Sequence, residues 1–263
     1  MFEFHADRNR YFEIQKDNSL KYVIPFIEKN KTIKIGTNVL EIGCGEAGVL
    51  APFLERGCNC VGVELDTPRL ILANERLGDY IKTKQLKLIG KDIYEVNPLE
   101  EFGNKFDIII LKDVIEHIHN QPKLIAEMKR FLNPDGVIFF GFPPWQMPFG
   151  GHQQINSNKW LSKLPYYHLL PNALYKFILR KGNASVDAMM EIKETGISIE
   201  QFERYVKQSG YHILNNIHFL VNPIYSYKFG WQPKKQFKII KAIPWVRNFF
   251  TTCVYYLITP NKI

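Results

Sequence analysis

Between Thr37 and Phe142, short apolar runs rich in β-branched residues alternate with stretches of helical periodicity, the pattern of βαβ units and a parallel sheet. Strands are predicted at Asn38–Ile42, Cys60–Glu64, Gln85–Ile89, Phe106–Leu111 and Val137–Phe142. The fourth, FDIIIL, is apolar enough to be buried on both faces. A helix should run from the glycine run Gly43–Gly48 through Glu55. Another is capped by Thr67, with Pro68 at its first position, and ended by Gly78. A third should run from Pro122 to Leu132, where the turn Asn133-Pro134-Asp135-Gly136 breaks it. From Pro143 to about Gly196 strand periodicity stops, so an insertion follows strand five. Ser198-x-x-Gln201 then reads as a capping box on a helix ended by Gly210, and Tyr211–Leu220 and Phe249–Thr259 read as a closing antiparallel pair. The expected fold is α/β, a doubly wound, seven-stranded, mostly parallel Rossmann-like sheet.

The 263 residues are 46% hydrophobic and 23% charged, enough for a substantial core. The net charge of +8 raises nucleic acid, an anionic membrane surface or an acidic substrate as partners. That charge is uneven: residues 1–203 carry 25 basic and all 26 acidic residues, whereas residues 204–263 carry 9 basic and none acidic. A second acid-free stretch, Gly136–Val186, holds Lys159, Lys163, Lys176, Arg180 and Lys181. The four cysteines form no Cys-x-x-Cys pair and read as reduced thiols. The N-terminal MFEFHADRNR lacks the apolar run of a signal peptide, which points to a cytoplasmic setting. The apolar stretch Trp245–Thr259 is shorter than the ~20 residues of a spanning helix and contains Arg247.

The chemistry concentrates in Val39-Leu-Glu-Ile-Gly-Cys-Gly-Glu-Ala-Gly48, a strand followed by a G-x-G-x-x-G loop. Glycines there let a ligand approach the backbone at the carboxyl edge of a sheet. Glu64 follows Gly43 by 21 residues, where a carboxylate can accept both ribose hydroxyls. Glu41 discriminates among nucleosides, because its charge would repel a pyrophosphate but attract an ammonium and a sulfonium, as in S-adenosylmethionine. With LEIGCGEAG, Glu64, Gly90-Lys-Asp92-Ile93 and FDIIILKDVIEHI in order, the segment from about Thr37 to Phe142 resembles the class I S-adenosylmethionine-dependent methyltransferases, in particular the ubiquinone-biosynthesis-like branch. It departs from the family loop in having Ala47 before Gly48.

The resemblance implies the class I methyltransferase fold. Residues 1–36 would form an N-terminal helical lid and 37–142 the S-adenosylmethionine-binding core. Residues 143–196 would form the acceptor-site insertion, and 197–263 a C-terminal helix with the closing strands. It implies a cofactor site of Glu41, Gly43, Cys44, Gly45, Gly48, Glu64, Leu65, Asp92, Ile93 and Lys112, with Asp92 and Ile93 at the adenine. Tyr11 and Gln15, four apart, can share a helix face over that site.

A hydroxyl acceptor usually requires a base. His117 is the first candidate, with Asp113 and His119 behind it, and His152 beyond Gly150-Gly151 is another. Glu116, His117 and His119 on one short helix start have poor facial spacing for three ligands, so no metal is expected. Phe142-Pro-Pro-Trp145 lacks the Asn or Asp of amino-directed enzymes and follows strand five, and the resemblance of Asp113–His119 to the ubiquinone-biosynthesis-like branch, many of whose members methylate oxygen, implies an oxygen acceptor. FPPWQMPFGGHQQ and LPYYHLLP resemble segments of methyltransferases from surface-polysaccharide and lipid-linked glycan gene sets, implying a small or glycan/lipid-linked acceptor, and the basic stretches point to an anionic one. The basic C-terminal segment would allow peripheral membrane contact. Two other classes remain open: a nucleic-acid methyltransferase or binder, for which no recognisable nucleic-acid module is present, and a non-catalytic membrane-apposed scaffold.

Overall fold

The computed structural model describes residues 7–153, 156 and 158–261. The first six residues of the expected lid segment and Gln154 of the FPPWQMPFGGHQQ run lie outside them. One eight-stranded sheet organises the chain: β1 (Asn38–Ile42), β2 (Asn59–Val63), β3 (Leu86–Ile89), β4 (Phe106–Lys112), β5 (Leu132–Phe142), β6 (Tyr211–Val221), β7 (Lys234–Lys235) and β8 (Cys253–Pro260). Their spatial order is β3-β2-β1-β4-β5-β8-β6-β7, with β1 to β5 parallel and β8 antiparallel to β5 and β6. The order reverses direction at β1, so the loops after β1 and β4 flank a switch-point crevice.

The helices are α1 (Arg8–Asn18), α2 (Ile24–Ile27), α3 (Ala51–Glu55), α4 (Thr67–Lys82), α5 (Pro98–Phe102), α6 (Gln121–Glu127), α7 (Asn172–Lys181), α8 (Val186–Thr195), α9 (Ile199–Gln208), α10 (Tyr225–Phe229), α11 (Lys238–Ala242) and α12 (Val246–Phe249). A π-helical turn, Ser19–Val23, joins α1 to α2.

Alternation along the strands sends successive side chains to opposite faces. Leu40, Ile109, Leu111, Ile138, Phe140 and Tyr256 join Leu124, Ile125, Phe202 and Val206 of α6 and α9 on one side. Val39, Ile108, Ile110, Phe139 and Tyr255 join Ile24, Ile27, Phe53, Leu54 and Ala73 of α2, α3 and α4 on the other. The insertion keeps its own small core of Tyr167, Tyr175, Leu179, Met189 and Met190.

Five expectations are corrected. The sheet has eight strands, not seven: β7 is two exposed lysines paired to β6, too short to show periodicity. The helix after the glycine loop starts only at Ala51, where Pro52 favours a first turn, and the loop itself consists of turns. Gly78 does not end α4: a side chain there would meet open space, and a glycine inside a helix costs only about 1 kcal/mol relative to alanine. The helix from Gln121 gives way to a 3-10 turn at Met128–Arg130, because Phe106 and Leu132 pair and extend β5 back through the Asn133–Gly136 turn across a register shift. The last strand begins at Cys253, since Phe249 closes α12. The capping box of Ser198 and Gln201 is present, and Gly210 takes φ +72° after α9.

Candidate active site

The loop leaving β1 closes against its neighbours by backbone contacts that exclude side chains. Gly43 has φ +68°, and a Cβ there would lie 2.6 Å from Val114 Cγ2. The amides of Gly43 and Cys44 donate to Val63 O at 2.8 and 3.1 Å, tying the loop to β2. A Cβ on Gly48 would come 2.9 Å from Phe12 O, so α1 rests directly on the loop. Ser19 Oγ donates to Val49 O at 2.8 Å on the same side. Between loop and helix is a cleft lined by Tyr11, Gln15, Glu41, Gly43, Cys44, Gly45, Gly48, Lys112 and Asp113, together with Arg8, Glu46 and Arg69.

Glu41 is the deepest polar group of this cleft, 2% exposed, and its Oε2 has no hydrogen-bond partner among the described residues. Burial pushes its pKa well above the usual carboxylate range, with the Lys112 charge opposing. A desolvated carboxyl with an open acceptor position is set to receive a cation. Lys112, at the end of β4, donates to Gln15 Oε1 at 3.0 Å and to Asp113 Oδ2 at 2.6 Å. Burial disfavours its charge, but Asp113 and Tyr11 outweigh it and keep the ammonium protonated. Gln15 Nε2 in turn donates to Tyr11 OH at 2.8 Å. A chain of polar contacts therefore links α1 to the edge of β4.

Glu64 is committed to its own surroundings: Gly45 N donates to Oε2 at 2.8 Å, and Leu65 N and Asp66 N donate to Oε1 at 2.8 and 3.0 Å. A carboxylate accepts about four hydrogen bonds, so three backbone donors leave one position, not the two that a pair of ribose hydroxyls would take. Asp92 caps the 3-10 turn Ile93–Glu95, accepting from Tyr94 N at 3.0 Å; Ile93 is buried and Leu65 exposed.

On the other side of Asp113, the 3-10 turn Ile115–His117 meets the insertion. The His117 and His152 rings contact edge to face with centroids 5.0 Å apart. Burial and then the neighbouring His117 lower the His152 pKa to about 4, and desolvation lowers that of His117 against the pull of Asp113. Both rings are neutral at neutral pH. Asp113 has φ +56°; burial works against its charge, but Lys112 holds its pKa below the ordinary value. Glu116 is buried with Oε2 unpartnered among the described residues, and burial followed by Asp113 raises its pKa.

Glu116, His117 and His152 offer donor atoms within 4.8 Å of one another. His119 is not part of this group: it is exposed and faces Glu191 at 3.9 Å. Phe142 is buried against Phe202 and Tyr256, and Trp145 packs on His168 with centroids 4.6 Å apart, so neither end of FPPW faces an acceptor.

Sequence reasoning missed three contributors. Glu46, within the glycine run, is buried and paired with Arg8 at 3.2 Å and with Arg76. Arg69 lines the cleft from α4. Lys228 of α10 reaches the field of Asp113 and Lys112, and burial lowers its pKa to about 8. No local pattern marked these, because Arg69, Lys228 and the two arginine partners of Glu46 come from elements distant in sequence.

Residues 40–140 match the family model described as a methyltransferase domain. Among solved structures, a putative sarcosine dimethylglycine methyltransferase from Galdieria sulphuraria superposes with TM-score 0.59 at 14% identity, over 92% of this chain and 85% of that one. Over residues 40–140 the chain is similar to a methyltransferase domain, and its fold is that of the superposed methyltransferase.

The chain also superposes on Haemonchus contortus phosphoethanolamine N-methyltransferase 2 in complex with phosphomonomethylethanolamine and S-adenosylhomocysteine, with TM-score 0.54 at 17% identity, over 91% of this chain and 52% of that one. By sequence it is 27% identical over 118 residues to the ubiquinone biosynthesis O-methyltransferase of Actinobacillus pleuropneumoniae serotype 7 (strain AP76), covering 44% of this chain and 50% of the relative. It is 23% identical over 188 residues to an uncharacterised methyltransferase of Mycobacterium leprae (strain Br4923), covering 65% and 63%. The chain thus spans about half the length of the first of these relatives. Within the matched residues lie Glu41, Glu64, Asp92, Lys112, Asp113 and His117; Tyr11, His152 and Lys228 lie outside them.

Proposed function

We propose that this protein transfers a methyl group from S-adenosylmethionine to oxygen on a small, glycan or lipid-linked anionic acceptor. The observation that carries the reading is the open, desolvated Glu41 carboxyl beneath a glycine loop. S-adenosylmethionine supplies an electrophilic methyl on a sulfonium, together with an ammonium that this carboxyl can receive. Gly43, Cys44, Gly45 and Gly48 allow close backbone approach, the remaining acceptor position of Glu64 suits a ribose hydroxyl, and Leu65, Asp92 and Ile93 border the base. Lys112 with Tyr11 and Gln15 closes the methionine end, giving α1 the role of a lid that excludes water.

Methyl transfer by direct displacement chiefly needs an aligned nucleophile. Asp113, His117 and His152 form the edge where an acceptor would approach, and neutral imidazoles there can take a hydroxyl proton. The acid-free stretches Gly136–Val186 and 204–263 favour an anionic acceptor. Calorimetry with S-adenosylmethionine and S-adenosylhomocysteine tests the cofactor assignment, and failure of both to bind refutes it. Oxygen direction is tested by S-adenosylhomocysteine release with hydroxylated against amino acceptors. Turnover confined to amines, or turnover unchanged in His117→Ala and His152→Ala, refutes that part.

A further inference from the structure

The segment joining β6 to β8 lies outside the methyltransferase match and presents large apolar side chains to solvent. Ile239 is 77% exposed, Phe237 60%, Trp231 58% and Trp245 57%. The same segment carries Lys234, Lys235 and Lys238, which enter no ion pair among the described residues, whereas Arg247 is neutralised by Glu200 and Glu203 at 2.8 and 2.6 Å. No acidic residue occurs from 204 to 263.

We propose that this face is a docking surface for an anionic lipid bilayer. Tryptophan, phenylalanine and isoleucine on and beside short helices, interleaved with free lysines, form the composition that inserts shallowly at a lipid headgroup boundary while its cations meet anionic lipid. A second copy of the chain is disfavoured as the occupant, because a two-fold contact would bring the lysines Lys234, Lys235 and Lys238 of both copies together. The face is continuous with the acceptor loop. Phe249 and Phe250 line an apolar groove with Tyr166, Leu169, Leu170 and Pro171. Tyr166 OH donates to Phe249 O at 3.0 Å, and its amide donates to Pro148 O at 2.8 Å, four residues before His152. The docking stands independently of the methyl-transfer reading. That the acceptor is met at the same surface rests on that reading.

The test is co-sedimentation of the full chain with phosphatidylcholine vesicles, with and without phosphatidylglycerol, alongside S-adenosylhomocysteine calorimetry on the same preparation. Binding to the anionic vesicles alone is expected, weakened by salt. At about 1 kcal/mol per lysine near the surface, Lys234→Gln/Lys235→Gln/Lys238→Gln should weaken it at least tenfold. Ile239→Ser/Trp245→Ser should abolish the part that persists at high salt, and tryptophan emission of the wild type should shift to the blue on binding. Circular dichroism and unchanged S-adenosylhomocysteine affinity establish that the variants are folded. Absence of sedimentation with anionic vesicles overturns the proposal, as does binding unaltered by both sets of substitutions, or self-association through these residues without vesicle binding. Loss of S-adenosylhomocysteine binding with vesicle binding intact refutes the cofactor reading instead.

Discussion

Replacing Glu41 by glutamine separates a ligand-binding carboxyl from a structural one, because the two roles predict opposite signs. In the free protein this carboxyl is desolvated with Oε2 open, and its folded pKa lies well above the ordinary value. With a raised folded pKa, the folded state binds the proton more tightly than the unfolded chain does, so Glu41 costs stability as pH rises above its unfolded pKa of 4.5. Glutamine keeps the shape without the charge. Glu41→Gln should therefore raise the melting temperature at neutral pH, with the gain growing from about pH 4.5 upward. A hydrogen bond to a charged group contributes about 1.5–3 kcal/mol, so losing one to the ligand ammonium should weaken S-adenosylhomocysteine about ten- to a hundredfold. Because burial raises the folded pKa, affinity of the wild type should rise with pH as the carboxyl ionises, and affinity of the variant should not. Calorimetry across pH reads both quantities. A folded variant that binds within about twofold of the wild type, with the same dependence on pH, would refute the assignment.

Gly43→Ala places a Cβ against Val114 at a positive φ, and overpacking of this kind costs about 1–3 kcal/mol. The variant should melt lower and lose S-adenosylhomocysteine binding, whereas Gly78→Ala, facing open space inside α4, should gain up to about 1 kcal/mol by chemical denaturation. Acid should destabilise the fold through two buried imidazoles. His168 is held to about 4 by burial and His218 to about 3 by burial and then Lys241. With folded values below the unfolded 6.5, the unfolded chain takes protons first as pH falls. Stability present above pH 6.5 should thus decline toward pH 4 by on the order of several kcal/mol. Urea midpoints across this range should show the decline, and a slope left unchanged by His168→Gln would exclude that residue's share.

Much of this molecule is written locally. The β1 span Asn38–Ile42, the glycine loop, the Ser198 capping box and the Tyr11–Gln15 contact each depend on residues within a few positions of one another. Period-two burial and capping chemistry are properties of short stretches. Glu41 was legible as well, because its place at the end of a strand before the glycines follows from that same short run.

What only the tertiary structure decided are meetings across long separations. His152 reaches His117 because the insertion folds back onto the edge of β4, and His119, two residues from His117, turns to Glu191 instead. Glu46 is buried between Arg8 and Arg76, which arrive from α1 and α4, and Lys228 comes from α10. The three amides on Glu64 are set by how the loops after β1 and β2 pack. Strand and cap signals record the preferences of neighbours along the chain. Which distant side chains share a cleft, and which are left facing solvent between β6 and β8, is settled by packing the layers.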